Sequence, residues 1–120
     1  MGRTEVKAVI TGPRAEREFT FLVDTGSTLV GLPETDIKEL GLTPVPNGRV
    51  RVRTANGIAE RETFYALGEL EGQGFGTMVV AAPIPLIGYE LLENMSFRVN
   101  PVTQRLERAG DDEFVPPYQL

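Results

Sequence analysis

The 120-residue sequence contains neither cysteine nor histidine. Without cysteine the chain forms no disulfide and offers no thiolate nucleophile or metal ligand, which is compatible with a reducing compartment. Without histidine it can hold no histidine-containing zinc site, and it has no imidazole for a catalytic triad or dyad. Any catalysis by this chain must therefore rest on carboxylates, hydroxyl groups, lysine or tyrosine.

Long apolar runs and an excess of positive charge are also missing. The longest apolar run, residues 78–87, contains two prolines and is too short to span a bilayer. Residues 1–20 alternate charged and apolar side chains instead of forming the apolar region of a signal peptide. The formal net charge is −5, which disfavours general binding to nucleic acid or to anionic membranes. We therefore expect a soluble cytoplasmic protein with no nucleic-acid or membrane partner.

The length and a hydrophobic content of 41% fit one domain with a modest core. The chain has no internal repeat and no linker. Many short apolar stretches and two short helical ones, without a βαβ rhythm, predict a mostly β fold. Strands are predicted over residues 4–11, 17–24, 29–32, 77–82, 97–100 and 104–108, and helices over residues 34–40 and 89–95.

Residues 49–66 carry the clearest hairpin signal. Arginine alternates with valine over residues 49–53, and the Asn56-Gly57 dipeptide that follows favours a two-residue type I′ turn. The return strand is predicted over residues 58–66. Because Glu60 and Glu62 lie opposite the arginines, we interpret the arginines as the solvated face of an exposed ribbon instead of a nucleic-acid stripe.

Two stretches that superficially resemble ligand-binding motifs are interpreted otherwise. The glycine-rich residues 72–76 precede a predicted strand, whereas a phosphate loop needs a helix N-terminus, so they predict a hairpin connection. The acidic triplet at residues 111–113 lies in a proline-containing end segment and is expected to be solvated, not metal-binding.

The strongest candidate for a functional site is the stretch of residues 21–27, Phe-Leu-Val-Asp-Thr-Gly-Ser. An ionised carboxylate at the inner end of a buried strand must be hydrogen-bonded, paired or protonated, and Asp24 occupies such a position. Thr25 and Ser27 supply hydroxyl donors beside it, and Gly26 permits a tight backbone path. The alternative for Asp24 is a polar turn in which the carboxylate binds its own backbone.

Three features occur in order along the chain: Asp-Thr-Gly-Ser at residues 24–27, a glycine-containing hairpin tip at residues 54–59, and Leu-Ile-Gly at residues 86–88 before a short helix and a strand. In these features the chain resembles the retropepsin-type aspartic proteases, the single-lobe family that includes the retroviral proteases. The resemblance covers about residues 4–100. It implies a single-lobe acid-protease β-barrel with a flap hairpin and one or two short helices, occupying residues 1–109 before a C-terminal tail at 110–120.

The resemblance also implies an activity: a homodimeric aspartic endopeptidase acting on a peptide or protein substrate, without cofactor or metal. The chain holds a single Asp-Thr-Gly. Asp24 must therefore meet its copy across a two-fold axis. There the paired carboxylates share a proton and activate a water molecule.

Roles follow for the residues that match the family motifs. Asp24 is the catalytic carboxylate, Thr25 would hydrogen-bond across the two-fold axis, and Gly26 would let the paired loops approach. Ser27 would orient Asp24. Further residues would support the active loop from beneath or form the flap over the substrate: Ile87 and Gly88 in the first group, and Thr54, Ala55, Asn56, Gly57, Ile58 and Ala59 in the second.

Some positions depart from the family pattern. Tyr89 and Glu90 stand where the family often has Arg or Asp followed by Asn or Asp, and the flap tip has one glycine and no aromatic residue. Residues 96–100 match the terminal strand that interleaves in retroviral dimers, but residues 101–120 extend further and could replace or cap that arrangement. These departures leave an alternative, a catalytically inert retropepsin-like module for dimerisation or peptide binding.

Overall fold

A computed structural model describes residues 4–24 and 29–108. Within these ranges the chain forms eleven strands and two short helices, so the predicted mostly β fold is confirmed. The strands are β1 (Glu5–Thr11), β2 (Glu16–Asp24), β3 (Val30–Leu32), β4 (Thr43–Pro44), β5 (Val50–Thr54), β6 (Gly57–Arg61), β7 (Phe64–Leu70), β8 (Gln73–Ala81), β9 (Leu86–Gly88), β10 (Phe97–Asn100) and β11 (Arg105–Arg108); the helices are α1 (Glu34–Leu40) and α2 (Tyr89–Asn94).

Six of these strands close into a barrel. They are hydrogen-bonded in the order β1-β2-β9-β3-β8-β7, and β7 pairs back onto β1, where Ile10 lies opposite Gly68. The two-residue strand β4 extends the sheet beyond β7. The short strand β9 pairs parallel with β2 and antiparallel with β3, so it lies between them. Successive side chains of a strand point to opposite faces of the sheet, and closure makes one of these faces the barrel interior.

The alternation read from the sequence matches the core. In β1, Val6 and Ile10 are buried whereas Lys7 is exposed, and in β2 Phe19 and Phe21 are buried. The centroids of the two phenylalanine rings lie 5.8 Å apart. Both helices add to the same core, through Ile37, Leu40 and Leu92.

Helix α1 is short and tightly bounded. It follows Pro33 and ends at Gly41, whose φ of 68° is the left-handed conformation that glycine adopts without strain. Arg17 of β2 donates hydrogen bonds of 2.7 Å to both Asp36 and Glu39, which docks the helix on the barrel. Neither described helix is long and apolar enough to cross a bilayer.

The return strand predicted over residues 58–66 is wrong in its continuity, because the strand is interrupted at residues 62–63. Strand β6 ends at Arg61 and pairs with β5, whereas β7 begins at Phe64 and belongs to the barrel. The break is fixed by Thr63, which is fully buried, donates its hydroxyl hydrogen to the carbonyl of Gly48 and accepts a backbone bond from Val45. Tertiary hydrogen bonds therefore override the continuous strand pattern.

The glycine-rich residues 72–76 lie in the β7–β8 hairpin, as predicted, but all of them except Gly72 belong to strand β8 instead of the connection. Strand β8 begins at Gln73, and only Glu71 and Gly72, both with positive φ, form the connection to β7. Phe75 lies opposite Gly68 in the β7–β8 ladder, and its ring occupies the space that a side chain on Gly68 would fill. The aromatic ring covers the glycine backbone, which keeps a glycine-rich segment in a strand.

Strands β10 and β11 form a hairpin separate from the barrel sheet. β11 therefore takes one edge of β10, the strand that matches the interleaving terminal strand of retroviral dimers. Glu107 accepts hydrogen bonds from Asn100 at 3.0 Å and from Arg98 at 2.8 Å. These bonds, that of Asn100 foremost, lower the pKa of the Glu107 carboxyl below its ordinary value.

The lowered pKa of Glu107 predicts an acid-sensitive contribution to stability. The ionised carboxylate stabilises the hairpin fully above the ordinary glutamate pKa, and the stabilisation is lost as the pH falls through the lowered folded-state pKa. We expect wild type to exceed Glu107→Gln in unfolding free energy at neutral pH, and the difference to shrink on acidification. Urea unfolding at a series of pH values measures it, and a difference that grew on acidification would contradict the assignment.

Candidate active site

Asp24 is the last residue of β2 and is held by strands on both sides. In the parallel β2–β9 pairing, Val23 lies opposite Ile87 and Asp24 lies opposite Gly88. On the other side, the amide of Val23 donates a 2.9 Å hydrogen bond to the carbonyl of Thr4, just before β1 begins. The backbone leading to the carboxylate is therefore fixed from two directions.

Asp24 is half-buried at this strand end and is not without an interaction partner. It is thus neither a freely solvated surface group nor an isolated charge in the core, as expected for a carboxylate that follows a buried strand. Thr25, Gly26 and Ser27 lie outside the described residues, so their predicted supporting roles remain predictions.

The predicted support beneath the site lies directly beside Asp24. Ile87 is fully buried and Gly88 is buried as well. Leu86 of the same strand lies opposite Gly31 of β3, where a Cβ would come within 2.6 Å of the Ala82 side chain. A side chain on Gly31 would therefore collide with Ala82, which follows β8. The pairing of β9 with both β2 and β3 brings Ile87 next to the Asp24 strand.

Strands β5 and β6 form a two-stranded ribbon that carries the predicted flap residues. Thr54 pairs with Gly57, so the loop residues are Ala55 and Asn56. A type I′ turn at Asn56-Gly57 would need a positive φ at both residues, but of the two only Gly57 has one, 113°. The predicted type I′ turn is therefore wrong. The Thr54 hydroxyl closes the loop by accepting from the Asn56 amide at 3.2 Å and donating to the Gly57 carbonyl at 2.8 Å.

The two faces of the β5–β6 ribbon differ in character. One face carries the half-buried Val50, Val52 and Ala59, and also half-buried Arg61, which lies opposite Val50 where the ribbon begins and ends. The other face carries exposed Arg51 and Arg53, as predicted for a solvated face. Arg49 and Glu60 make a loose 3.8 Å ion pair, with both side chains about two-thirds exposed. A ribbon with an apolar and a charged face can lie over a cleft and keep its outer surface in water.

Two open grooves in the described chain lie away from Asp24. One, on the outer face of β7 and β8, is lined by Thr11, Tyr65, Leu67 and Met78 among others. Thr11 is at the far end of the β1–β2 hairpin from Asp24. The other runs between α1, the root of the β5–β6 ribbon and residues 81–83. Within the described ranges, no group of three or more acidic side chains is arranged to hold a metal ion.

One contact of the site was not predicted from the sequence. The acceptor for the Val23 amide is a backbone carbonyl, that of Thr4. Every residue carries such a group, so no residue type marks the position.

A closed barrel, a β5–β6 ribbon beside it and an aspartate at the inner end of β2 together define a retropepsin-like aspartic protease fold. The chain belongs to the aspartyl protease family, whose model matches residues 6–91. No curated protein sequence matches it.

Solved structures agree with this assignment of the fold. The solution structure of the Simian Foamy Virus (mac) protease superposes with a TM-score of 0.56 at 18% identity, covering 77% of this chain and 94% of that one. The EIAV protease complexed with the inhibitor HBY-793 superposes with a TM-score of 0.65 at 14% identity, covering 82% and 93%. At these identities the likeness concerns the fold.

Proposed function

We propose that two copies of this chain form an aspartic endopeptidase in which the two Asp24 carboxylates hydrolyse peptide bonds. The observation that carries the proposal is the position of Asp24, which is half-buried at the end of β2 and paired with β9. The chain that holds this aspartate belongs to the aspartyl protease family. Membership of this family suggests the reaction class, peptide hydrolysis, and the position of Asp24 suggests which carboxylate performs it.

A second copy is needed because the described part of this chain offers no second aspartate for the site. Its other aspartate, Asp36, is bound by Arg17 on the face of α1. Arg17 precedes Asp24 by seven residues along β2, about 23 Å at roughly 3.3 Å per residue. A two-fold axis beside the end of β2 would instead bring Asp24 of each chain together.

In the proposed reaction one proton is shared between two carboxylates. The ionised Asp24 takes a proton from the bound water while the water oxygen bonds to the peptide carbonyl carbon. Asp24 of the partner subunit, protonated, gives its proton to the carbonyl oxygen. The C–N bond of the resulting gem-diol then breaks. The first Asp24 returns its proton to the departing nitrogen, and a diol hydroxyl reprotonates the other carboxylate.

The β5–β6 ribbon is proposed to close over the substrate, and residues 54–59 form its tip. Its strands pair only with each other among the described residues, so their outer edges are open to an extended peptide. The half-buried face with Val50 and Val52 would contact substrate side chains. The exposed arginines on the other face would remain in solvent.

Subunit mixing tests the shared site. When wild-type chains exchange with a ninefold excess of Asp24→Asn chains, random pairing should lower cleavage per wild-type chain about tenfold, because most wild-type chains acquire an inactive partner. Peptide cleavage is measured after co-refolding the two proteins. The matched control is the same excess of Asp36→Asn chains, which keep Asp24, so cleavage per Asp24-bearing chain should stay unchanged in that mixture. Cleavage per Asp24-bearing chain that also stayed unchanged in the Asp24→Asn mixture would mean that one chain suffices.

A further inference from the structure

The β10–β11 hairpin begins after the family match ends at residue 91. Its turn is held by internal hydrogen bonds. Asn100 accepts from the amides of Val102 at 2.9 Å and Thr103 at 3.2 Å, and the Gln104 amide donates to the Asn100 carbonyl at 2.8 Å. The Gln104 side chain donates through Nε2 to the carbonyl of Pro101 at 2.8 Å. These bonds fix the direction of the Gln104 side-chain oxygen.

That oxygen reaches across to the beginning of the barrel. The Thr4 hydroxyl donates a 2.8 Å hydrogen bond to Gln104 Oε1, and Thr4 is 7% exposed. The Thr4 carbonyl in turn accepts from the amide of Val23, the residue before Asp24. An unbroken series of contacts thus leads from the hairpin turn to the backbone of the proposed catalytic residue.

The Thr4–Val23 hydrogen bond is the last rung of the β1–β2 ladder at the Asp24 end, since the paired register begins with Glu5 opposite Leu22. Terminal rungs fray unless a neighbouring contact holds them. Gln104 makes that contact. The hairpin that carries Gln104 is itself anchored, because Phe97 is buried and the Arg108 guanidinium lies 5.0 Å from the centre of its ring.

We propose that Gln104 is a positioning residue for Asp24. It holds Thr4 by a hydrogen bond, and Thr4 holds the last backbone rung before the carboxylate. Gln104 does not itself act on the substrate. The catalytic consequence rests on the proposed function, whereas the structural consequence can be measured without any substrate.

The structural test is the hydrogen-exchange rate of the Val23 amide, measured by NMR. We expect Gln104→Ala and Thr4→Val each to speed its exchange about tenfold, because one hydrogen bond is lost. Thr4→Ser keeps a hydroxyl and should exchange like wild type. The double variant should be no faster than either single one, since both break the same contact. Amides in the middle of the β1–β2 ladder should not change.

The control within the hairpin is Glu107→Gln, which weakens the contacts to Arg98 and Asn100 without touching Thr4. Its Val23 amide should remain protected. If Gln104→Ala left Val23 exchange unchanged, or accelerated all β1–β2 amides equally, Gln104 would contribute only to overall stability and the proposal would be overturned.

The catalytic test is a kcat and KM measurement at protein concentrations where sedimentation shows a constant assembly state. We expect kcat of Gln104→Ala and Thr4→Val to fall about fivefold with KM nearly unchanged, and Thr4→Ser to restore it, because a displaced carboxylate loses alignment and not substrate contacts. Faster Val23 exchange with unchanged kcat would refute the positioning role. A wild-type protein that cleaves no peptide would refute the proposed function, and Val23 exchange would still decide whether Gln104 holds this rung.

Discussion

Asp24→Asn should lower peptide cleavage about 1,000-fold or more while leaving the barrel folded. Asparagine has nearly the same size as aspartate, and the backbone of Asp24 stays paired with Gly88. The asparagine amide, however, can neither accept a proton from water nor hold the proton that a carboxylate pair shares. The measurement is kcat/KM on a peptide library at mildly acidic pH, with circular dichroism and amide NMR spectra as evidence of an intact fold.

The matched control for that result is Asp36→Asn. It makes the same chemical change on the surface of α1, where it removes the negative charge of one of the two carboxylates that bind Arg17. Exposed ion pairs contribute little to stability, so this variant should cleave like wild type. Substantial cleavage by Asp24→Asn, or an equal loss in both variants, would rule out Asp24 as the catalytic carboxylate.

Ile87→Ala should have the largest effect on stability among the site positions considered, about 2–5 kcal/mol. Ile87 is fully buried in β9, beside Val23. Truncation leaves a cavity under the Asp24 strand, where neighbouring strands on both sides of β9 restrict relaxation. Urea unfolding at one fixed protein concentration measures the loss, because assembly changes apparent stability.

Ile58→Ala provides the comparison, since it is the same substitution at the tip of the β5–β6 ribbon, where Ile58 is 56% exposed. Its effect on unfolding should remain within about 0.5 kcal/mol. If Ile87→Ala does not fold, Ile87→Val should still cost about 0.5–1.5 kcal/mol. Equal stability losses for alanine at positions 58 and 87 would contradict the burial argument.

The local elements were largely predictable. Alternation over residues 4–11 and 17–24 predicted β1 and β2 because inward and outward side chains alternate along a strand. Helix α1 was predicted with its bounds, since acidic residues begin it and Gly41 ends it. Each of these signals depends only on residues close together in the chain, so it can be recognised from the sequence without knowledge of the fold.

Predictions failed where a distant contact decided the local conformation. The return strand of the ribbon breaks at Thr63 because its hydroxyl binds the Gly48 carbonyl across the chain. The segment that begins β8 is a strand because Phe75 covers Gly68. At the ribbon tip, the Thr54 hydroxyl bonds moved the loop by one residue relative to the Asn-Gly signal.

The chemical groups that this protein can use follow from its residues alone: carboxylates without histidine or cysteine, and a single Asp-Thr-Gly that makes each chain half of the proposed site. The residue pattern also puts Asp24 at the end of an apolar strand. The surroundings of that strand end follow only from the fold, which puts β9 on one side and Thr4, hydrogen-bonded to Gln104, on the other. A strand can be predicted because its buried and exposed positions carry apolar and polar side chains in alternation. Its neighbours cannot, because strands are joined by backbone donors and acceptors that almost all residues share.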